Sequence, residues 1–391
     1  MDGNLYAQAL RIFGKHFGGA PEAVAYAPGR VEVLGNHTDY NEGYVLSAAI
    51  DRGTAFLARL APDAACRVIA GDIEQSAQFP VSGTPAAPIP QWARYVRGVF
   101  EKLRAHGRIT RGFHAVFLGN IPLGAGLSSS AALEIASGLA LERLYGLSLP
   151  PLDLARIGQA AEHEYVGVKC GLLDQISSLF GKENELVMTD FRMLTVETIP
   201  LAPDVCFLVC NTRVKHNLVE SEYNERRARC EAAAAFFRNV LPHPVSHLRD
   251  VSQAEWDRYH DQMEPVAAKR AAHVVGEDER VLQGRDLLRQ HKLREFGELM
   301  FESHHSSRVY FENSCAELDA IVQAARGQAG VYGARLSGGG FGGSAIVLVG
   351  ERSAQAVGES IAAAYNREFG HPCEFMTVKP STGARVAEPA G

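Results

Sequence analysis

The sequence lacks the features that mark most secreted, membrane-spanning, zinc-binding and nucleic-acid-binding proteins. Its seven cysteines are scattered without a CxxC pair, which predicts neither a disulfide framework nor a zinc site. No apolar run approaches the ~20 residues that span a bilayer, and the first residues lack the basic and apolar regions of a signal peptide. A formal charge of −6 argues against nucleic acid as a main partner. We therefore expect a soluble, cytoplasmic protein that binds neither nucleic acid nor a membrane.

Two further absences concern the glycine-rich stretch PLGAGLSSSAALE, which begins at Pro122. It lacks the lysine of the nucleotide loop GxxxxGK[ST], and Ser129 takes the place of the third glycine of the dinucleotide loop GxGxxG. A strand is predicted over residues 113–118 before it, and apolar residues at helical spacing follow it. In such a turn, backbone N–H groups and the positive end of the helix dipole converge on one point, where phosphate can bind. The residues alone leave two interpretations open, a phosphate-binding loop and an ordinary serine-capped helix.

Three other features each allow a structural and a functional interpretation. Residues 36–43 are polar between two predicted strands, and they form either a hairpin turn or a rim of hydrogen-bonding groups for a ligand such as a sugar. Asp174 precedes a predicted helical run, where an N-cap is the structural interpretation. On the residues alone, Glu162 is a solvated position of a helix predicted over residues 152–166. Trp92 opens another predicted helix, and it either packs there or stacks on a base.

The length of 391 residues predicts two domains. We place the boundary near residue 196, to within about ten residues, which gives domains of residues 1–195 and 196–391. The second domain is expected to be mostly helical from residue 217 to residue 305. A basic run at residues 226–229, interleaved with glutamates, is expected to be a solvated helix face. Five glycines cluster at residues 338–343, next to a predicted strand, which suggests a backbone packed against another loop or a ligand.

Three stretches carry a family resemblance when they are taken together. They are GRVEVLGNHTDYNEGYVL from Gly29, PLGAGLSSSAALE from Pro122 and ARLSGGGFGGSA from Ala334. In order and spacing they resemble the three motifs of the GHMP small-molecule kinases, and the first is close to the signature of the galactokinase branch. Further matches are AEHEYVGVKCGLLDQISSLFGK from Ala161, VKHNLVESEYNERRARCE from Val214 and AAHVVGEDERV from Ala271. The resemblance covers about residues 25 to 380.

The resemblance implies an α+β, two-domain GHMP kinase fold. Its N-terminal domain, with a mixed sheet and helices, would resemble domain 2 of ribosomal protein S5, and its C-terminal domain would have a ferredoxin-like core. Sugar and nucleotide would lie in the cleft between the domains. The implied reaction uses ATP and Mg²⁺ to phosphorylate the anomeric hydroxyl of D-galactose, and it gives galactose 1-phosphate and ADP. The partners would be the small-molecule sugar and ATP, and we expect a monomer.

The resemblance also assigns roles to residues of this sequence. Asp174 would accept the proton of the sugar hydroxyl, and Arg30 would stabilise the transferring phosphoryl group and favour the ionised form of Asp174. Ser130 and Glu162 would supply hard oxygen ligands to Mg²⁺. The implied sugar-binding residues are Asn36, His37, Thr38, Asp39 and Tyr223. The implied ATP-binding residues are Gly124, Ala125, Gly126, Leu127, Ser128, Ser129 and Ser130 around the phosphates, with Trp92 near the adenine.

The sequence departs from the G-E-H-x-D-Y signature of this branch at Asn36, where relatives have a Glu that contacts the 6-hydroxyl of the sugar. An amide would weaken a charge-assisted hydrogen bond to that hydroxyl and would tolerate a 6-carboxylate. An anomeric kinase of another sugar, such as galacturonate, is therefore the alternative function. A third possibility, a galactose sensor without turnover, is disfavoured because Ser130–Ala131, Asp174 and Arg30 are all present. Ser47 and residues 307–310 also depart from the pattern, and nothing in the sequence explains them.

Overall fold

Two β-sheets form the framework of the computed structural model, which describes residues 3–122, 124–215 and 219–388. Leu123 of the glycine-rich stretch and residues 216–218, where the helical second half is predicted to begin, lie outside the described residues. The strands, numbered along the chain, are β1 (Ala23–Leu34), β2 (Tyr44–Leu60), β3 (Ala65–Ala70), β4 (Gln75–Pro80), β5 (Phe113–Gly119), β6 (Glu185–Asp190), β7 (Thr195–Pro200), β8 (Val205–Lys215), β9 (Val331–Ser337), β10 (Gly342–Gly350), β11 (Glu374–Val378) and β12 (Arg385–Ala387).

Helices cover the sheets and fill most of the second half of the chain. The α-helices are α1 (Gly3–Phe17), α2 (Gln91–Leu103), α3 (Ser129–Tyr145), α4 (Pro151–Ala161), α5 (Leu173–Phe180), α6 (Val219–Val240), α7 (Gln253–Tyr259), α8 (Pro265–Arg289), α9 (Leu293–Ser306), α10 (Ala316–Ala325) and α11 (Glu351–Phe369). Short 3-10 turns occupy Asp39–Asn41, Arg104–His106, Leu248–Asp250 and His260–Gln262, and π-helical turns occupy Glu162–Val166 and Ser307–Phe311.

The first sheet is mixed, whereas the second is antiparallel throughout. In the first sheet the strand order is β12-β1-β2-β5-β3-β4, and β6 pairs with β2 and with β7. Only β3 and β5 run parallel among these pairs in the described part of the chain. In the second sheet the order is β11-β8-β10-β9. This arrangement of helices and two sheets is the α+β fold that the sequence predicts.

The first sheet is buried on both faces because its central strands alternate between two apolar clusters. On β2, Phe56 and Ala58 pack with α2, α3 and α4, while Ala55 and Leu57 pack with α1. Side chains alternate across a strand, so one strand contributes to both clusters. Helix α1 covers the second cluster with residues at a spacing of four, which places them on one face of the helix. Its buried residues are Leu5, Ala9 and Phe13.

A third apolar cluster is shared by the two sheets, so the halves of the chain are packed together. Val31 and Val33 of β1 lie in the same cluster as Phe207 of β8 and Ile346 of β10. The predicted boundary near residue 196 falls within β7, which pairs with β6 in the first sheet, and the second sheet begins at Val205. The division into residues 1–195 and 196–391 stays a prediction.

Several predicted elements differ from the structure. The predicted helix over residues 152–166 ends as an α-helix at Ala161 and continues as a π-helical turn, in which Gly167 N–H donates to the carbonyl of Glu162 at 2.8 Å. The strands β7, β9 and β12 are not predicted by the sequence, and β9 is the element that precedes the glycine cluster at residues 338–343. The basic run is not wholly a solvated face, because Arg226 is buried and donates to the carbonyls of Phe311 and Glu312.

Among the described residues, no helix combines the length and apolar character needed to cross a membrane.

One buried carboxylate joins the second half of the chain to the polar stretch after β1. Glu277 of α8 accepts hydrogen bonds from the backbone N–H groups of Gly35 and Asn36, both at 2.9 Å, and from the Ser303 hydroxyl at 3.0 Å. Its other oxygen pairs with Arg280 at 2.6 Å. Burial alone would raise the pKa of Glu277, but the charge of Arg280 and these donors outweigh it and hold the pKa well below its usual range.

We predict that Glu277→Gln destabilises the protein by about 2–4 kcal/mol at pH 7, because the substitution removes one partner of a buried, hydrogen-bonded charge pair. Since the folded pKa is depressed, the stabilisation by Glu277 is present above the ordinary Glu pKa of about 4.3 and fades as the pH falls below it. Urea unfolding at several pH values measures the difference. The exposed Glu279 provides the control, since Glu279→Gln is expected to change stability by less than about 0.5 kcal/mol. Equal effects of the two variants would contradict the prediction.

Candidate active site

Two cavities meet at one pair of charged side chains near the end of β1. The first, of about 250 Å³, is lined by Arg30, Glu32, Asn36, His37, Asp39, Gly167, Val168, Lys169, Cys170, Gly171, Leu173, Asp174, Tyr223, Asn224, Gly338 and Gly339. The second is lined by Arg30, Pro122, Gly124, Gly126, Leu127, Ser128, Ser129, Ser130, Asp174, Ser337, Gly338, Gly339, Gly340, Gly342 and Gly343. Below they are called the polar cavity and the loop cavity. Arg30 and Asp174 line both.

The shared pair is held by charge-assisted hydrogen bonds. Arg30 Nε and Nη2 lie 2.8 and 2.7 Å from Asp174 Oδ1, and Ser128 Oγ donates to Asp174 Oδ2 at 2.5 Å. Arg30 is nearly fully buried, whereas Asp174 keeps 27% of its side chain exposed. Asp174 lies in the first turn of α5 after Leu172, so the N-cap interpretation is wrong. The carboxylate instead faces the two cavities.

The glycine-rich stretch forms the wall of the loop cavity. Arg30 Nη1 donates to the carbonyl of Gly126 at 2.6 Å, and Arg30 N–H donates to the carbonyl of Leu127 at 3.1 Å. Gly29 permits this approach, because a Cβ there would lie 2.4 Å from the same Leu127 oxygen. Ser128 precedes α3 with a left-handed backbone (φ 55°), and its side chain does not cap the helix. The serine-cap interpretation is therefore wrong, and the hydroxyl binds Asp174 instead.

The predicted residues around the loop cavity are largely brought together. Gly124, Gly126, Leu127, Ser128, Ser129 and Ser130 line it, whereas Ala125 is buried beside it. The carbonyl of Ala125 accepts from Ser344 Oγ at 2.8 Å, which joins the stretch to β10. The glycine cluster at residues 338–343 also lines this cavity, so its backbone faces the glycine-rich stretch or a ligand, as the sequence predicts.

Trp92 is not part of either cavity wall. Its Nε1 donates to Gln75 Oε1 at 3.0 Å, and its ring meets Phe117 edge-on with centroids 5.4 Å apart. The structure therefore shows packing at the start of α2. Contact of Trp92 with adenine stays a prediction.

His37 is neutral and uses both ring nitrogens inside the protein. Burial lowers its pKa to about 4. Its Nε2 lies 3.1 Å from the carbonyl of Gly339, which can only accept, so Nε2 carries the hydrogen. Nδ1, 2.9 Å from the Tyr40 hydroxyl, is then the acceptor. His37 thus forms part of the cavity wall, while its two nitrogens fix the neighbouring loop and Tyr40.

Thr38 lies outside the cavity wall. It is fully buried, and its hydroxyl lies within hydrogen-bonding distance of the carbonyls of Gly35 and Tyr44, at 2.8 and 2.6 Å. The structure thus places Thr38 in the turn that shapes residues 35–43, rather than against the space for a ligand.

Asp39 presents a carboxylate to the polar cavity without a neighbouring cation in ion-pair contact among the described residues. Burial raises its pKa to about 7, and the charges of Glu32 and Asp174 act in the same direction. The absence of a side chain at Gly171 makes room for Asp39, since a Cβ there would lie 1.7 Å from Asp39 Oδ2. A carboxylate in this position is suited to accept from ligand hydroxyls.

Asn36 does not offer a free donor to the cavity. Its Nδ2 donates to Glu32 Oε1 and to the carbonyl of Gly338, both at 2.8 Å, and its Oδ1 accepts from Asn313 Nδ2 at 2.9 Å. Glu32, which sequence reasoning missed, lines the cavity beside it. The available signal was a charged residue between Val31 and Val33 on an apolar strand, two positions after Arg30 and hence on the same face.

Tyr223 also lines the polar cavity. Its ring lies 5.1 Å from the ring of His37 and 5.6 Å from that of Tyr40, between centroids. The sequence-predicted set Asn36, His37, Asp39 and Tyr223 is therefore assembled around one space.

Glu162 is buried, so the solvated interpretation is wrong. Burial raises its pKa, hydrogen bonds from Cys170 and Ser130 oppose the shift, and the charge of Asp174 reinforces it. Glu134 Oε1 is buried without a hydrogen-bond partner among the described residues, and burial together with Glu162 raises the pKa of Glu134 strongly. Two buried carboxyl groups and the Ser130 hydroxyl are hard oxygen donors that fit a divalent cation. The described residues hold no cluster of three or more His, Cys, Asp or Glu side chains arranged around a metal.

Ser47, unexplained by the sequence, has a structural role. Its hydroxyl lies 2.7 Å from that of Ser177 on α5, which ties β2 to the helix that carries Asp174. Residues 307–310 lie in the π-helical turn after α9. The structure offers no reason for the residues found there.

Three protein families match separate parts of the chain. The GHMP kinases N terminal domain matches residues 94–182, the galactokinase galactose-binding signature matches residues 11–60, and the GHMP kinases C terminal family matches residues 285–367. The chain is 40% identical over 387 residues to a galactokinase of Pasteurella multocida (strain Pm70), covering 97% of this chain and 98% of that protein. It is 39% identical over 385 residues to a galactokinase of Haemophilus influenzae (strain PittEE), with the same coverage.

Two solved kinase structures are similar to this chain in fold. Lactococcus lactis galactokinase complexed with galactose has a TM-score of 0.90 and 33% identity, covering 97% of this chain and 99% of that one. A mevalonate kinase with a TM-score of 0.61 and 17% identity shares the fold.

We predict that Asp39→Asn stabilises the protein without ligand at pH 8, because a neutral amide avoids the burial of a charge. A carboxyl with a raised pKa contributes stability below its unfolded pKa of about 3.9 and loses it as the pH rises towards 7. The melting temperature should therefore rise by at least about 2 °C at pH 8 and by less at pH 5, while kcat/KM for the substrate falls.

Thermal unfolding at the two pH values, with activity measured in parallel, tests this expectation. Asp261→Asn is the control, since Asp261 is 92% exposed. A melting temperature of Asp39→Asn at or below that of the unmodified protein at pH 8 would contradict the prediction.

Proposed function

The chain belongs to the galactokinases of the GHMP kinase family, and from that membership we propose that it transfers the γ-phosphoryl group of ATP to the anomeric hydroxyl of D-galactose. The products are galactose 1-phosphate and ADP. The observation that carries the proposal is the position of Arg30 and Asp174, which line the polar cavity and the loop cavity together. A sugar in one cavity and phosphates in the other would meet at this pair.

Asp174 acts as the base in this proposal. The hydroxyl oxygen of the sugar forms a bond to the γ-phosphorus, the bond from that phosphorus to the bridging oxygen breaks, and Asp174 takes the hydroxyl proton. Asp174 Oδ2 has one lone pair engaged by Ser128 and a second one available. The donors of Arg30 and Ser128 hold the carboxylate in one orientation, so positioning is achieved before the sugar binds.

Arg30 stabilises charge on the transferring group. Its Nη1 is tied to Gly126 of the loop and its Nε and Nη2 to Asp174, so one guanidinium spans both parts of the site. Phosphoryl transfer depends mostly on positioning and on offsetting charge. The loop from Gly124 to Ser130 supplies backbone N–H groups to the phosphates, which explains how it serves without a lysine.

Ser130 and Glu162 hold Mg²⁺ in this proposal, with Glu134 as a neighbouring carboxyl. A bound Mg²⁺ would offset the negative charge of the phosphates. The buried Glu134 oxygen without a partner supports a cation at this position.

Asn36, His37, Asp39 and Tyr223 surround the sugar, and the contacts of Asn36 favour galactose over galacturonate. A 6-carboxylate would need a donor, but both amide hydrogens of Asn36 are donated to Glu32 and Gly338. Asp39 and Glu32 add two carboxyl groups to the wall. A negatively charged sugar is therefore disfavoured.

The test is ADP release and sugar 1-phosphate formation over a panel that includes D-galactose, D-galacturonate and D-glucose. We expect D-galactose to be the preferred substrate. Asp174→Asn and Arg30→Ala should each lower kcat by about 100-fold or more, as the loss of a single electrostatic group does at other active sites. Asp153→Asn on α4, where the carboxylate side chain is 41% exposed and lies outside both cavities, is the control. Absence of any sugar 1-phosphate would favour the sensor, and faster turnover of galacturonate would favour the alternative kinase.

A metal titration tests the cation site. Ser130→Ala and Glu162→Gln should each raise the Mg²⁺ concentration needed for half-maximal rate by about tenfold, because the first removes an oxygen ligand and the second replaces a carboxylate by a neutral amide. Direct Mn²⁺ binding in the presence of a non-hydrolysable ATP analogue gives a readout that does not depend on turnover. Titrations unchanged in both variants would remove these residues from the site.

A further inference from the structure

Glu32 occupies an unusual place for a charged side chain. It lies near the end of β1, a strand whose residues are all buried, and the residue is only 4% exposed. Nevertheless it lines the polar cavity. Residues two apart on a strand share a face and are separated by about 7 Å. Glu32 therefore faces the same cavity as Arg30, but it lies further along β1 from the Arg30–Asp174 pair.

The hydrogen bonds of Glu32 leave one oxygen unused. Asn36 Nδ2 at 2.8 Å and Arg335 Nη1 at 3.2 Å both bind Oε1, whereas Oε2 receives no hydrogen bond from the described residues. Asn36 cannot serve a ligand as a donor, since its second amide hydrogen goes to Gly338. Of these two neighbouring side chains, the carboxylate has the free hydrogen-bonding capacity.

We propose that Glu32 is a specificity-determining residue, whose Oε2 accepts a hydrogen bond from the 6-hydroxyl of the sugar. This inference rests on the proposed galactokinase function. The family signature has a glutamate at position 36, and here Glu32, four residues earlier, supplies the carboxylate instead. The Asn36 amide donates a hydrogen bond to Glu32. Asn36 acts as a positioning residue that orients Glu32.

A purely structural role for Glu32 makes a different prediction. Arg335 is fully buried, and Glu32 is its only ion-pair partner in the described part of the chain. Removing the carboxylate would then impair folding or overall activity equally for every sugar. A role in recognition instead changes the ratio between two sugars that differ only at the 6-position.

The experiment measures kcat/KM for D-galactose and 6-deoxy-D-galactose in the unmodified protein and in Glu32→Gln and Glu32→Asp. We expect the unmodified protein to prefer D-galactose by about 10- to 100-fold, the range for a hydrogen bond to a charged group. Both variants should reduce that preference by at least about tenfold. Glu32→Asp keeps a charge near Arg335 but withdraws the oxygen from the cavity, so it remains informative if Glu32→Gln does not fold.

Glu101→Gln is the matched control, because Glu101 is a partly buried glutamate paired with Arg104 and does not line the polar cavity. It should leave the ratio between the two sugars unchanged. A ratio unchanged in the folded Glu32 variants would overturn the inference, as would a change confined to a 4-deoxy or 2-deoxy sugar. If the unmodified protein phosphorylates neither sugar, the proposed function fails, which is a separate result.

Discussion

The buried carboxylate of Glu277 is the contact on which the sugar side of the site depends. It comes from α8, in the second half of the chain, and binds the backbone N–H groups at Gly35 and Asn36, in the first half. Those two N–H groups would otherwise lie buried without partners, which is unfavourable. Glu277, itself paired with Arg280, therefore fixes the start of the loop that continues through His37 and Asp39. The first-half binding loop is therefore completed by the second half.

Arg30 joins separate parts of the chain in the same way, at the point where the two cavities meet. A guanidinium buried this deeply needs several acceptors, and it finds them in Asp174 and in the carbonyl of Gly126. The same contacts that satisfy its charge join the strand, the glycine-rich stretch and α5 at one point. Stability and the arrangement of the site thus rest on the same hydrogen bonds, so substitutions of Arg30 are expected to affect both.

The sequence predicted those parts of the structure that depend on short-range signals. The glycine-rich stretch, Arg30 and Asp174 are brought together as expected, and the GHMP kinase resemblance and the α+β fold are confirmed. Properties set by long-range packing were not predicted. The burial of Glu162 and Arg226 results from elements distant in sequence, as does the pairing of β12 with β1. The contact of Glu32 with Arg335, some three hundred positions later in the chain, is likewise a long-range property.

The pairing of β12 with β1 also constrains the order in which the protein is made. Val24 of β1 pairs with Ala387, so this edge of the first sheet stays open until nearly all of the described chain has been synthesised. During translation β1 is an edge strand with unpaired N–H and C=O groups, a template on which other chains can add. The nascent first half therefore emerges with an unprotected edge, which β12 can cover only after Ala387 has been synthesised.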